Sequence, residues 1–580
     1  MGKVRCRAWS PRLPSACGAG YPPVTQAPAE PRLATLVAPF ALLIWIPICF
    51  AMFASLRASQ AAFVSLLGAE ILLPVGYGFK FVGLPDLERG RVAGLSALVA
   101  CLLFKSHSFR VRGRLRVSYL MIGAIILSAA ATVATNPDPV VWGRNVVLPG
   151  LRPYDAAAVA AGEVLDYGLP FLLGAAVFRS RRDLEFLLRG LAVAGLVYTL
   201  PILYEVRMSP QLHNIVYGYF PSSFLQQIRE GGFRPVVFIG HGLAVSMFMM
   251  MTTVAAVGLW RARLPILSWP AGACAAYLFV VLFLCKSYAP AVYALIASAL
   301  LIFAGTRACR TVAWASVLFL LSYPLLRTFD WVPTDRMVEI ARSMSEDRAG
   351  SLQFRFDNEQ MLLERAHERI WFGWGTWSRN RVFDPEEGRD ISVTDGLWII
   401  ELGRFGVAGF LAQFSMLLVP MAFFRHNVPR LRSERARLLL CTLALILGCR
   451  AVDFVPNSGF TPFVALLFGA LAGLSVGLPL EESAARHRSL RGGEKVARAP
   501  GPARLTESSG WLPPADPPAR RFRRSRVRAP RGEVAAAPVF ASRATAPGPR
   551  ETPRARSPTR GPGVPPGASR SEPPRPPTPP

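Results

Sequence analysis

The chain has 580 residues, a formal net charge of +28, 52% hydrophobic residues and a mean hydropathy of +0.33. A chain that is apolar on average and strongly basic is not an ordinary soluble enzyme, and its charge is too dispersed for one nucleic-acid-binding surface. Nine cysteines without a C-x-x-C pair and six scattered histidines give no ligand pattern, so no metal and no cofactor are expected.

Residues 1–32 form a basic extension (Lys3, Arg5, Arg7, Arg12) without the compact apolar core of a signal peptide. From 33 to 478, apolar stretches of about 17–25 residues recur, the length that crosses a bilayer as helix. Spans are expected near 33–55, 60–79, 91–104, 118–134, 163–178, 185–204, 235–259, 267–285, 288–305, 311–328, 400–424, 438–452 and 460–478. The fold class is therefore an all-α polytopic membrane protein of about 13 transmembrane helices.

Lys/Arg-rich stretches at 105–116, 179–182, 261–263, 307–310 and 425–437 are separated by two spans each. All five then share one side, which the positive-inside rule makes cytoplasmic. Segments 136–162, 205–234 and 329–392 fall outside, the last being the longest. The basic N-terminus would also fall outside. Either the start is further along, near Leu36 or Val37, or the span count is wrong by one before Lys105.

In the long outer loop, Ser351 is placed to N-cap an amphipathic helix through Leu352, Phe356, Leu363 and Ile370 that ends before Gly373 and Gly375. Arg355 and Glu359 lie four apart on it, the spacing of a simple surface ion pair. After 478 the composition changes. Between 481 and 580 there are 20 Lys/Arg against eight Asp/Glu, with runs such as "SEPPRPPTPP". Residues 479–580 read as a disordered cytoplasmic tail, unable to bury enough apolar surface to offset chain entropy. A partner-binding polyproline segment, a polybasic arm on anionic lipid and translation from a shifted frame remain alternatives.

Ionisable groups near span ends are the candidate functional residues, because charge at membrane depth is costly and marks sites and pathways. They are Arg229, Arg234 and His241 in "IREGGFRPVVFIGH", Lys286 in "LFLCKSYAP", Arg355, Asp395 in "SVTDGLW", Glu401 and Arg404 beyond it, and Asp453 in "RAVDFVPNSG". A predominance of cations at the outer face suits an anionic ligand such as a lipid-linked phosphate.

The stretches "FRFDNEQMLLERAHERIWFGWGTW" and "TDGLWIIELGRFGVAGFL", with "ILLPVGYGFKFVGLP" and "FRPVVFIGHG" earlier, resemble the O-antigen ligase and O-antigen/exopolysaccharide polymerase superfamily of bacterial inner-membrane proteins. The resemblance covers about 33–478. It implies an inner-membrane glycosyltransferase that moves glycan from an undecaprenyl-pyrophosphate carrier to a glycan or lipid acceptor on the periplasmic face. Other polysaccharide-assembly proteins are implied partners, and nucleic acid is not. Arg234 and Arg355 match the arginines that would hold the pyrophosphate, with Lys286 and Arg229 nearby. Where ligases commonly carry a His-Asn or similar pair, this chain has Thr394-Asp395-Gly396, so Asp395, or Glu401, becomes the candidate catalytic carboxylate. A polysaccharide transporter or flippase, or a non-catalytic subunit of an assembly complex, is the competing reading; the lack of an inverted repeat weighs against transport.

Overall fold

A computed structural model describes residues 34–497 other than 82, 112, 145 and 230; the expectations for 1–33 and 498–580 lie outside the described residues. In chain order, α1 (Ala34–Ser55) and α2 (Ala58–Leu72) lead through a small hairpin to α3 (Arg89–Lys105) and α4 (Val117–Ala134). A second hairpin, Val140–Trp142 with Val146–Leu148, precedes α5 (Pro153–Glu163), a π-helical turn (Val164–Gly168) and α6 (Leu169–Val177). Then come α7 (Arg181–Met208), the short α8 (Leu212–Tyr217), α9 (Gly242–Arg261), α10 (Ala271–Leu284), α11 (Tyr288–Phe303) and α12 (Thr306–Thr328). Helices α13 (Thr334–Met344) and α14 (Glu346–His367) occupy the long loop, and α15 (Leu397–Asn427), α16 (Glu434–Asp453) and α17 (Pro462–Ala497) complete the bundle.

Eight helices among the described residues are long and apolar enough to cross a membrane: α1, α4, α5 continued by α6, α7, α9, α12, α15 and α17. Helices α2, α10 and α11 are apolar but shorter. The other two expected spans fall on α3 and α16, whose ends carry charge. The outer faces of the bundle stay apolar, with Phe40, Leu127 and Leu200 each at least 66% exposed, as a lipid-facing surface requires. Helix α9 is the opposite case, enclosed by α7, α10, α11 and α16 with nearly every side chain buried.

Several expected boundaries move, each for a local reason. The span expected over 60–79 stops at Leu72, where Pro74, Gly76 and Gly78 break the helix. The span expected from 235 begins at Gly242, because Pro235 and the left-handed Val237 (φ 47°) and Gly240 (φ 100°) hold 235–241 irregular. The loop helix begins at Glu346, not at Ser351, since Ser345 is the extended flanking residue (φ −169°) and helix-compatible residues follow it. The chain also stays helical past 478 to Ala497, so the first part of the expected disordered tail is helix. There Glu481 accepts the Arg181 N–H (2.9 Å), and Glu482 accepts those of Arg432 (2.7 Å) and Ser433 (3.1 Å). These contacts gather the basic stretches 179–182 and 425–437 at one end of the bundle.

Two glycine-dependent joints shape the rest. Gly469, Gly473 and Gly477 on α17 face α6 and the residues after it so closely that a Cβ at any of them would lie 2.0–2.4 Å from a backbone oxygen. This is the small-residue contact typical of membrane helices. The second joint interrupts α15 at Gly406, where φ is +63°. The loop Trp371–Gly375 lays its backbone into the break. Val407 N–H donates to Ile370 O (2.7 Å), Ala408 N–H to Trp371 O (3.1 Å), Trp374 N–H to Gly403 O (2.9 Å) and Gly375 N–H to Arg404 O (2.8 Å).

Both glycines at the break, Gly373 (φ +67°) and Gly406, are left-handed, and a Cβ on Gly406 would sit 2.4 Å from the Trp371 carbonyl carbon. With ψ −164°, Gly406 sits in a region that only glycine adopts readily, so Gly406→Ala combines a backbone penalty of about 1–3 kcal/mol with overpacking of about 1–3 kcal/mol. It should lower the melting temperature in detergent by many degrees. Gly123→Ala on α4, where a Cβ meets nothing within 4 Å, is expected to be neutral or slightly stabilising. A chain ended after Ala497 should melt with the full-length protein. One ended after Leu478 loses the carboxylate contacts, about 1 kcal/mol each, and should melt measurably lower.

Candidate functional site

The site lies at the bundle end that carries the long loop, and its first wall is the irregular segment 234–241. Buried Glu205, at the end of α7, holds that segment. One carboxylate oxygen accepts the Val236 and Val237 N–H groups (2.7 Å each), and the other accepts those of Gln211 (3.1 Å) and Leu212 (2.8 Å). Arg89, at the start of α3, donates to the carbonyls of Phe238 (2.7 Å), Leu73 (3.2 Å) and Glu70 (2.9 Å). An irregular segment enclosed by helices needs such partners for its backbone groups.

That anchoring places Arg234, 8% exposed, beside the start of α9, with Nη2 donating to Ser287 Oγ (2.8 Å). Next to Ser287, Lys286 is left-handed (φ 51°) and its Nζ lies over the Gly232 backbone. His241 N-caps α9: its Nδ1 accepts the Leu243 N–H (3.2 Å), so the neutral ring carries its proton on Nε2. Burial first, then the neighbouring Arg234, push this imidazole below its ordinary value; Arg355 adds to the shift and Asp395 opposes it. Arg355 reaches from α14 to Asp395 (Nε to Oδ2, 3.8 Å) and donates to Pro456 O (3.3 Å). Arg234, Arg355 and Asp395 are thus gathered around His241, with Lys286 adjacent.

Two cavities meet this cluster, and Asp395 lines both. One, of about 310 Å³, also takes in His241, Glu70, Arg450, Asp453 and Asn457. The other, of about 470 Å³, is an apolar cleft formed by α12, the turn after it, α13 and α14, with Phe319, Trp331 and Phe356 in its lining together with Arg355. Lys286 lines a separate, smaller cavity.

Two expectations change. Arg355 and Glu359 are not partners. Glu359 pairs with Arg327 (3.3 Å) and accepts the Tyr323 hydroxyl (3.2 Å), because α14 turns that face onto α12. Glu401 lies apart from the cluster and lines neither of the two cavities that Asp395 shares. It is 1% exposed and paired with Arg404 (3.4 Å), which also holds Glu163 (2.8 Å). The side chain of Arg229 lies outside the described residues.

The sequence reading missed the residues that fasten the long loop. Arg379, 1% exposed, donates to the carbonyls of Trp374 (3.0 Å), Pro149 (2.6 Å) and Asp138 (2.9 Å). Asn136 donates to Gly373 O (2.9 Å) and accepts from Arg369 (3.0 Å), while Arg365 stacks on Trp374 at 3.3 Å. The available signal was density: Arg365, Arg369 and Arg379 flank a tryptophan- and glycine-rich stretch. Compared with known proteins, the chain matches no family model and no curated sequence.

The two arginine pairs predict opposite costs. Arg327 is 4% exposed at its side chain, and Glu359→Ala would strand it, a loss of about 3–5 kcal/mol. The Arg355–Asp395 pair is 42% exposed on each side, so Arg355→Ala should cost no more than about 1 kcal/mol. Thermal unfolding of the two variants in the same detergent should separate them by several degrees. Equal melting would show that α14 does not dock on α12 through Glu359.

Proposed function

We propose that this protein is a membrane glycosyltransferase that moves glycan from an undecaprenyl-pyrophosphate carrier to a glycan or lipid acceptor, as an O-antigen or exopolysaccharide polymerase or ligase does. On this reading all thirteen helical segments traverse a bacterial inner membrane. The basic ends face the cytoplasm, and the long loop faces the periplasm.

The observation that carries the proposal is the convergence of Arg234 and Arg355 with Asp395 where an apolar cleft and a more polar cavity share a wall. A prenyl chain suits the cleft, and its pyrophosphate suits the arginines, whose planar forks remain charged and bind phosphate in a bidentate way. Lys286 and Arg229 would add positive potential at the same face. Asp395 then accepts the proton of an acceptor hydroxyl as its oxygen attacks the anomeric carbon. The bond from that carbon to the phosphate oxygen breaks, and the electron pair leaves with the carrier pyrophosphate. Donors aimed at the leaving group act most strongly as its charge grows. Glu401 is held away from this point by Arg404 and has no part in the step.

Since Arg355 contributes little to folding, its loss can be read as chemistry. In membranes with matched protein levels, Arg355→Ala should reduce transfer from a lipid-linked glycan roughly a hundred- to a thousand-fold. Arg355→Lys, which keeps the charge but not the fork, should remain substantially impaired. Near-normal transfer by Arg355→Ala would remove it from the site.

A further inference from the structure

The 310 Å³ cavity beneath Asp395 has a wall composition that the transfer step does not use. Three carboxylates and one cation line it: Asp453 pairs with Arg450 (3.4 Å) within the wall, while Glu70 and Asp395 pair with Arg89 (3.7 Å) and Arg355 (3.8 Å), which lie outside it. Asn457 donates to Asp453 (2.9 Å), and Arg450 also donates to the Gly459 carbonyl. Arg450 and Asp453 are 5% and 2% exposed, and Arg450 Nε has no hydrogen-bond partner although it is buried. The His241 Nε2–H adds a donor, Ser458 and Thr461 add hydroxyls, and Phe248 and Phe463 supply apolar faces. We propose that this cavity seats one uncharged sugar ring, the end unit of the acceptor glycan.

Three features of the wall support this. A sugar ring offers hydroxyls that both donate and accept, together with C–H faces that pack on apolar surface. A cavity lined by paired charged groups, an amide, hydroxyls and two phenyl rings answers both. The volume lies at the lower end of the about 300–1,000 Å³ of small-molecule sites, equal to about ten waters at roughly 30 Å³ each. That suits one ring with its substituents rather than a chain.

The charge pairing selects the class of sugar. Arg450, the one cation among the lining residues, already holds Asp453, so a uronate or phosphorylated ring would have to displace Asp453 from it. It would also face Glu70 and Asp395 at short range. Like charges in a partly desolvated site are strongly unfavourable. Arg355 and Arg234, which the transfer step assigns to the pyrophosphate, do not line this cavity. Only the naming of the ring as the acceptor rests on the transferase reading; its binding does not.

Saturation-transfer NMR on the full-length protein in nanodiscs tests the site, with methyl glucoside, methyl N-acetylglucosaminide and methyl glucuronide as probes. The neutral glycosides should show saturation transfer, and the glucuronide should bind at least tenfold more weakly. Ala244→Phe, which fills the cavity, should abolish the signal, and so should Ser458→Trp, an exposed position at the cavity edge chosen because it spares the core. Val292→Phe, on an exposed face of α11, should retain it. Absence of neutral-glycoside binding, equal binding of the glucuronide, or undiminished binding in both blocking variants would overturn the proposal. Binding of neutral glycosides in a protein that transfers no lipid-linked glycan would leave the sugar site standing and remove the transferase. Transfer without glycoside binding would do the reverse.

Discussion

A polypeptide that breaks a helix among other membrane helices must find new partners for the backbone groups it frees, because hydrocarbon offers none. Helix α15 breaks at Gly406, and the partners come from the Trp371–Gly375 loop. Backbone meets backbone so closely that neither Gly406 nor Gly373 has room for a methyl group. From this joint the loop geometry propagates. Trp374 is fixed, Arg365 stacks on it, and Arg379 gathers three carbonyls from neighbouring segments. Helix α14, which ends four residues before the loop begins, is thereby set against α12, with Arg355 directed to Asp395. Leu397, two residues beyond Asp395, is tied to the Phe454 and Asn457 carbonyls, which completes the frame.

Within that frame the ionic groups divide by what surrounds them. Glu205, Arg327 and Arg379 are buried and Arg89 partly so, and each is held by backbone groups or by one close partner, so they hold the fold. Arg355 and Asp395 are half-exposed and loosely paired. A long, solvent-accessible pair of this kind adds little to stability, and both side chains can reorganise around a third charged group at small cost. Arg234 is intermediate, buried but presented by a loop whose shape is maintained by Glu205.

The helical segments were legible because apolar length is a strong signal, and two of the basic stretches, 179–182 and 425–437, do meet at one end of the bundle through Glu481 and Glu482. Boundaries were less so. Val237 and Gly240 adopt left-handed backbone only because Glu205 and Arg89 hold that segment, and both lie far from it in sequence. The helix from Leu478 to Ala497 was hidden by its arginines and glycines, which resemble the low-complexity sequence that follows. For the site, Arg234, Arg355 and Asp395 were each visible as charge near a span end, whereas Arg450 and Glu70 were not singled out. The spacing of Arg355 and Glu359 suggested a pair, yet docking on α12 turned them to different partners. Glu401, near Asp395 in sequence, is carried round α15 to face Glu163 instead.

The joint at Gly406 also bears on how the protein is assembled. Thr132 on α4 donates to the Phe372 carbonyl (2.6 Å), a bond between residues 240 positions apart, and the neighbouring Ile370 and Trp371 carbonyls accept from Val407 and Ala408 of a helix synthesised later. Contacts of such separation form late, because loop-closure entropy must be overcome before they contribute. The break in α15 thus depends on a segment that is itself tied to α4, and a variant that kept the loop from docking would leave the backbone groups around Gly406 without the partners they have here.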